Sequence, residues 1–428
     1  MTVGAEPTRL SSIWLVTTGE PLPSDGPGTR LLRTGIFFED LVARGVRTHW
    51  WTSGFDHHRR TQRSTSLARL EVGSVGTITL IPSPGYRGSV SIRRLVDHAT
   101  TARRFRDAAT EAAAPQLIWC SYPTVELSAV SVELGKRWGI PVVLDVRDLW
   151  PDVIWDTVLP GSPALARDAA LRILRRPAAR AIRAATAVVG LTDEYVAWAL
   201  ELAGRARNEH DVAIPVTYPD PVGPLTPSEI AEGERFWGEH GVDLGEDWIV
   251  CFLGTLGRQF DFGPVLDAAG RLRLGAPKVR FVLAGAGEGL ESLRSRAAGL
   301  SNVVVPGWVD GVRRRTLLSR SKLGLAPYRP SENFLRNLPN KPVEYFAHGL
   351  PVLYPIEGVL HRACQRSECG LRYGGGEALA SILEEIRGDA ARHDRMAKNA
   401  RRLFLDDFAR EAVTDRLVGL CERILGAA

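Results

Sequence analysis

Short apolar runs alternate with helically spaced stretches along the first half of the chain. "SIWLVTT" (Ser12–Thr18) runs into the Gly- and Pro-rich "GEPLPSDGPGTR", and "LLRTGIFFEDLVARG" then places apolar residues at helical spacing before closing at Gly45. "VRTHWWTSGF", "VGTITLIPSPG", "QLIWCSYP" and "GIPVVLDVRDLWPD" repeat the apolar run, with a helical stretch from about Ser91 to Ala113 among them, and "AATAVVGLTDEYVAWAL" reads as a strand feeding a helix. Apolar strands alternating with helices predict a parallel sheet covered on both faces. Between Val216 and Asp247 the pattern weakens, and "TYPDPVGPLTPSE" holds four prolines, as a linker would. The alternation then restarts with "DWIVCFLGTLGRQFDFGPVLDAAGRL" and "VRFVLAGAGEGLESLRSRA", followed by "NVVVPGWV", "LGLAPY" and "GLPVLYP". The expectation is a pair of open α/β domains whose ligands bind beyond the carboxyl ends of the strands, in a cleft between the domains.

Length supports the division, because 428 residues exceed one ordinary core. A hydrophobic content of 44% and a charged content of 24% are ordinary for a globular protein. No apolar run approaches the roughly 18–20 residues of a membrane span. "MTVGAEPTRLSS" lacks a charged-then-apolar leader layout, so a cytoplasmic location, with the inner face of the membrane as a variant, is expected. Five scattered cysteines read as buried reduced thiols. A net charge of +5 suits anionic partners: a nucleotide, a phospholipid surface or nucleic acid. Nucleic acid is disfavoured, since the basic groups do not cluster with aromatics in a recognisable module.

Glycine-bearing turns follow several strands: Gly19 and the segment Gly26–Gly28, then Gly254 and Gly257, then Gly285, Gly287 and Gly289. Such turns let backbone approach an anion at a helix N-terminus, although glycine also serves plain packing there. Arg258 in "GTLGR" is placed to clamp a phosphate beside Gly254. "NKPVEYFAHG" is more specific. Pro339 and Pro342 shape a helix entry where Lys341 can meet an anion, and Glu344, one turn on, can accept hydrogen bonds from a ribose diol. Asn337 and Asn340 add neutral donors and acceptors. An ordinary amphipathic helix would explain Val343, Phe346 and Ala347 but not the clustered Asn, Lys and Glu.

With these residues in view, the sequence resembles the GT-B glycosyltransferases of the retaining family 4, which use nucleotide-sugar donors. The resemblance rests on "FLGTLGR", "FVLAGAGEG", "NVVVPGWV", "LAPYRPSENFLRNLPNKPVEYFAHGLPVL" and a final amphipathic helix from Phe408 to Leu425, in the expected order. "TTGEPLPSDGPGTRLLRTGIFFEDLVARG", "WWTSGFDHHRRTQR" and "DVRDLWPD" resemble bacterial members that build polysaccharides or modify small molecules. The resemblance implies two Rossmann-like domains. Residues 1–220 with 406–428 would bind the acceptor, and residues 221–405 would bind the donor. Glu344 would hold the ribose, Arg258 and Lys341 the diphosphate, and Gly254 would let the phosphates approach. The Val305–Val309 segment, with Trp308 and Val309, would frame the base, and Gly19 would face the donor. Asp148 stands where the family places a His or Asp near the reacting centre. No metal or further cofactor is implied beyond the donor, expected to be a UDP-sugar. The acceptor would be a sugar, a lipid-linked compound or a small molecule.

The pattern departs from the family at two places. The first of its two paired glutamates would fall at Arg336, and Gln259, Phe260 and Asp261 stand where a second phosphate-binding base is usual. Asn333, the Phe334 N–H or Asn337 are the substitutes expected to grip the sugar. These departures leave room for a pseudo-glycosyltransferase that makes a non-glycosidic bond, or for an inactive GT-B subunit; the presence of Glu344, Arg258 and Lys341 argues against the second. "DHH" (Asp56–His58) reads as loop hydrogen bonding rather than a metal cluster, and "GVRRRTL" (Gly311–Leu317) as a solvated helix end. Arg172, Arg176, Arg180 and Arg183 share a helical stripe, interrupted by Pro177, that reads as a solvated face or as a peripheral contact with anionic lipid. Trp50, Trp51, Trp150 and Trp155 are candidates for sugar stacking or for the core.

Overall fold

The computed structural model describes residues 10–26, 29–87, 91–153, 164–218, 225–276 and 278–426. Gly28, Trp155 and the linker prolines Pro219, Pro221 and Pro224 lie outside them. The chain divides into two units, Met1–Pro215 with Val413–Ala428, and Val216–Ala412.

In the first unit the strands are β1 (Ser12–Val16), β2 (Arg47–Ser53), β3 (Phe55–Asp56), β4 (Thr61–Gln62), β5 (Ala68–Val72), β6 (Gly76–Ile81), β7 (Leu117–Tyr122), β8 (Val142–Val146), β9 (Ala187–Gly190) and β10 (Val212–Ala213). The described residues form a sheet in the order β10-β9-β8-β7-β1-β2-β6-β5, in which only the β5–β6 pair is antiparallel. Strands β7 and β8 are buried at every position, which is why they read as unbroken apolar runs. Edge strand β5 alternates half-buried and exposed residues and has no such run. The β3–β4 pair is a separate antiparallel ribbon. Helices Arg33–Ala43, Ile92–Ala109, Val125–Trp138 and Asp193–Ala203 link the strands. Trp50 and Trp51 belong to the core. The helix Arg410–Gly426 brings Val413, Leu417, Leu420, Cys421 and Ile424 into the same core as Ile13, Leu15, Phe37 and Leu41.

The second unit contains β11 (Trp248–Leu253), β12 (Val279–Ala284), β13 (Val303–Val304), β14 (Leu323–Leu325), β15 (Val352–Tyr354) and β16 (Gly370–Arg372). Its parallel sheet has the order β13-β12-β11-β14-β15-β16. This is the doubly wound arrangement, with its topological switch between β11 and β14, the place where such sheets bind ligands. The apolar run "NVVVPGWV" yields only the two-residue β13. Pro306 has no N–H for a ladder, and Gly307 turns to φ +95° so that its carbonyl accepts the Gly285 N–H at 2.7 Å.

Candidate functional site

The turns after β11 and β12 meet backbone to backbone. Gly254 has φ +144° and donates its N–H to Ala284 O at 3.0 Å, and Gly285 has φ +157°. A Cβ on Gly285 would stand 1.7 Å from Gly254 O, so no other residue fits without moving the turn. The Gly254 N–H is therefore taken by protein. What glycine supplies here is room, and the charge comes from Lys341.

Lys341 lies in the first turn of the helix Asn340–Ala347, entered through Pro339 in an extended conformation. Its Nζ donates to Leu253 O at 2.6 Å and lies 4.9 Å from the Phe252 ring centroid and 5.4 Å from that of Phe260. A Cβ on Gly254 would come within 1.5 Å of this nitrogen. Gly254→Ala is accordingly expected to swing the ammonium aside and to cost about 1–3 kcal/mol through the left-handed backbone. Thermal melting of the purified variant checks this, and wild-type stability would show that the turn relaxes freely.

Glu344, one turn beyond Lys341, is buried. Its Oε1 accepts from the Tyr218 hydroxyl at 3.0 Å and pairs with Arg314 Nη1 at 3.2 Å. Arg314 corrects the reading of "GVRRRTL" as a solvated helix end. In the helix Gly311–Arg320, Arg313 stacks on Phe236 with its guanidinium 4.3 Å from the ring centroid, Arg314 reaches Glu344, and Arg315 pairs with Glu229 at 2.7 Å. Three arginines in a row gave no hint of this, because their partners lie elsewhere in the chain.

Arg258 extends into solvent, with its side chain 90% exposed and paired with Glu288 at 3.1 Å. It borders a pocket of about 240 Å³ lined also by Phe260, Glu288, Ser292 and Arg296. Trp308 is 72% exposed, while Val309 beside it is packed inward. Asn337 has its Oδ1 buried without a hydrogen-bond partner, and Asn340 is exposed at the start of its helix. Arg336, at the position of the absent acid, pairs with Glu332 at 2.9 Å on the surface. A larger pocket of about 580 Å³ opens beyond β14, β15 and β16, between Asp261, Tyr328, Arg329, Ile356 and Arg372. In this unit the elements at the carboxyl ends of β11 and β14 thus gather Gly254, Lys341 and Glu344, with Arg258 on the rim.

The first unit holds the other expected residues at its own switch point, between β1 and β7. Gly19 follows β1 with φ +81°, and Thr18 and Thr124 share a hydroxyl hydrogen bond of 3.1 Å. Asp145, inside β8, is fully buried. Its Oδ2 accepts from Arg33 Nε at 2.9 Å, Arg147 Nη2 at 2.7 Å and Trp119 Nε1 at 3.3 Å. Arg147 also reaches Glu20 and donates to Thr34 Oγ1 at 2.9 Å, and Glu20 accepts the Thr34 N–H at 3.0 Å. Asp148 stands outside this network. Its Oδ1 is buried with no partner, and burial pushes its carboxyl above the ordinary range. Asp56 accepts the backbone N–H groups of His58 and Arg59 at 2.8 and 2.9 Å. Arg172, Arg176 and Arg180 face solvent, whereas Arg183 is tied to Ala203 O at 2.7 Å. No helix among the described residues is long and apolar enough to cross a membrane.

Comparison with known proteins gives the fold. The structure superposes on sucrose-phosphate synthase from Thermosynechococcus elongatus with a TM-score of 0.71 and 17% identity, covering 98% of this chain and 100% of that one. The Anabaena protein HepE, solved with UDP and glucose, gives a TM-score of 0.65 and 16% identity over 96% of this chain and 100% of that one. The catalytic domain of starch synthase IV from Arabidopsis thaliana, bound to ADP and acarbose, gives 0.66 and 12% over 97% and 99%. The fold is GT-B, with two Rossmann-like domains. Residues 248–386 match the family model described as glycosyl transferases group 1. No curated protein gives a significant sequence match.

Proposed function

We propose that the protein is a glycosyltransferase that moves a sugar from a nucleoside-diphosphate donor to an acceptor hydroxyl with retention of configuration. The observation that carries this reading is the junction of Lys341, Gly254 and Glu344 at the switch point, within the segment that matches the group 1 model. Lys341 and Arg258 take up the charge that develops on the departing diphosphate, a role for side-chain cations that needs no metal. The bond from the sugar's anomeric carbon to the phosphate oxygen breaks as the acceptor oxygen bonds to the same carbon. The acceptor's proton passes to the departing phosphate. Trp308 offers an exposed ring for the base, and Asn337 and Asn340 are assigned to the sugar and phosphates. In this reading residues 1–220 with 406–428 take the acceptor and residues 221–405 the donor. UDP is the favoured nucleotide, since one structural neighbour was solved with UDP and glucose, and polysaccharide, glycolipid or natural-product synthesis is the setting.

Glu344→Ala is expected to weaken UDP binding by about 1.5–3 kcal/mol, the worth of a hydrogen bond to a charged group. Calorimetry on a variant that melts normally measures it. Unchanged affinity would remove Glu344 from the ribose site and the reading with it.

A further inference from the structure

The carboxylate assigned to the ribose is gripped on one oxygen by two donors. Glu344 Oε1 accepts from the Tyr218 hydroxyl at 3.0 Å and pairs with Arg314 Nη1 at 3.2 Å. Glu344 and Tyr218 are buried, and Arg314 is half-buried. The two donors come from elements far apart in the chain. Tyr218 lies at the start of the second unit, and Arg314 belongs to the helix Gly311–Arg320, just after the Val305–Val309 segment assigned to the base. Asp310 fixes the entry of that helix by accepting the Arg313 N–H at 2.9 Å.

Tyr218 is itself held by backbone. Its N–H and the Thr217 hydroxyl both donate to Phe408 O, at 3.4 and 2.9 Å, and Tyr218 pairs with Ala409 in a parallel bridge. These residues stand near the two ends of the second unit, Val216–Ala412. Phe408 also faces the helix that carries Glu344. Its ring centroid is 6.4 Å from that of Phe346, and Arg401 donates to Ala347 O, at the end of the same helix, at 2.7 Å. Tyr218 and the Glu344 helix are therefore braced on one turn, Phe404–Phe408.

Stability does not account for this arrangement. A buried ion pair is often matched or bettered by apolar side chains of the same volume, and Val343, Tyr345, Phe346 and Ala347 already pack the helix. Two donors on a single oxygen supply direction instead. They fix the rotation of the carboxylate, so less side-chain freedom is lost when a ligand hydroxyl arrives. A carboxylate accepts hydrogen bonds and does not donate them. A site oriented in this way favours a hydroxyl, and leaves a buried acceptor short of a partner when the hydroxyl is missing.

We propose that Tyr218 and Arg314 are positioning residues that aim Glu344 at the ribose diol, and that the site thereby selects ribonucleoside diphosphates against their 2′-deoxy counterparts. This rests on the glycosyltransferase reading and narrows its donor class. Glu344 follows Lys341, assigned to the diphosphate, by one helical turn, and it is bonded to the helix that follows the base segment. The carboxylate thus falls between the two assigned ends of a nucleotide, where a ribose belongs. Neither Tyr218 nor Arg314 touches the donor in this assignment; both act through Glu344.

The test is calorimetry on the full chain with two probes, UDP and 2′-deoxy-UDP. Wild type is expected to bind UDP about tenfold more tightly or better, the worth of a hydrogen bond to a charged group. Tyr218→Phe removes one donor and keeps the ring. It is expected to bring the preference down to about threefold or less, by weakening UDP more than 2′-deoxy-UDP, with a melting temperature within a few degrees of wild type. Arg314→Gln reads the other donor in the same way and serves alone if Tyr218→Phe does not fold. Arg314→Lys keeps the charge and is expected to keep part of the preference. A purely structural role would weaken both nucleotides alike, or lower only the melting temperature, and leave their ratio as in wild type. That ratio in one folded variant removes its residue from the role, and in both it overturns the proposal. Equal binding of the two nucleotides by wild type also overturns it, while UDP binding still supports the glycosyltransferase reading. Wild type that binds neither nucleotide overturns that reading itself.

Discussion

Asp145→Ala is expected to destabilise the first unit by about 3–5 kcal/mol, because it leaves buried guanidinium groups without their carboxylate. Arg33 and Arg147 both converge on one oxygen of Asp145, at 2.9 and 2.7 Å, where Asp145 is fully buried. Arg33 is itself buried, so water is not at hand to replace the lost partner, and Glu20, already paired with Arg147, is the neighbouring acid that could compensate in part. Eight of the eleven tryptophans belong to this unit, so urea unfolding followed by fluorescence reports on it. A loss below about 1 kcal/mol would show that Glu20 takes over both arginines. The same geometry sets an acid limit. Burial raises the Asp145 carboxyl, but Arg147 and Arg33 more than reverse this and hold it below its ordinary 3.8. A carboxyl that titrates lower in the folded chain than in the unfolded one stabilises above the unfolded value. That contribution is lost as pH falls through the folded value.

The contrasting result is expected three residues on. Asp148→Asn should lower turnover about 10- to 100-fold, the effect of removing a charged acceptor from a hydroxyl in the transition state. UDP affinity and melting temperature should stay near wild type. Asp148 has a buried Oδ1 without a protein hydrogen-bond partner, and burial raises its carboxyl against a backbone hydrogen bond from Leu149. Release of UDP in the presence of acceptor measures turnover, and calorimetry measures donor affinity. A fall in turnover alone places the interaction in the transition state. Full turnover in Asp148→Asn would send the search for the reacting carboxylate to Asp25 or Glu332.

Much of the fold is legible in the sequence because parallel strands are buried on both faces. "LIWCSY" and "VVLDV" announce themselves as apolar runs, and both are buried throughout. "ARLEV" at the sheet edge and the two-residue β3 and β4 are not legible, since half-exposed residues carry no such signal. Within the site, Lys341 and Glu344 can be singled out because polar residues in an otherwise apolar helix entry need a reason. The partners of Glu344 cannot, since Tyr218 is 126 residues away along the chain. For the same reason the network of Glu20, Arg33, Asp145 and Arg147 leaves no local trace. Arg33, Asp145 and Arg147 sit in or beside apolar runs that dominate the pattern, and Glu20 sits in a Gly- and Pro-rich turn. "DHH" is legible as a hydrogen-bonded loop, since Asp56 accepts the backbone N–H groups of His58 and Arg59.

The excursion of the chain between the units has a consequence for the order in which the protein is assembled. The core of the first unit includes Val413, Leu417, Leu420, Cys421 and Ile424, which follow all of Val216–Ala412 in the chain. On a ribosome, the unit begun first is therefore the one completed last. The second unit, one continuous stretch, has its whole sequence available earlier. Until residue 424 emerges, the nascent first unit displays the apolar ground that this helix covers, around Phe37 and Leu41.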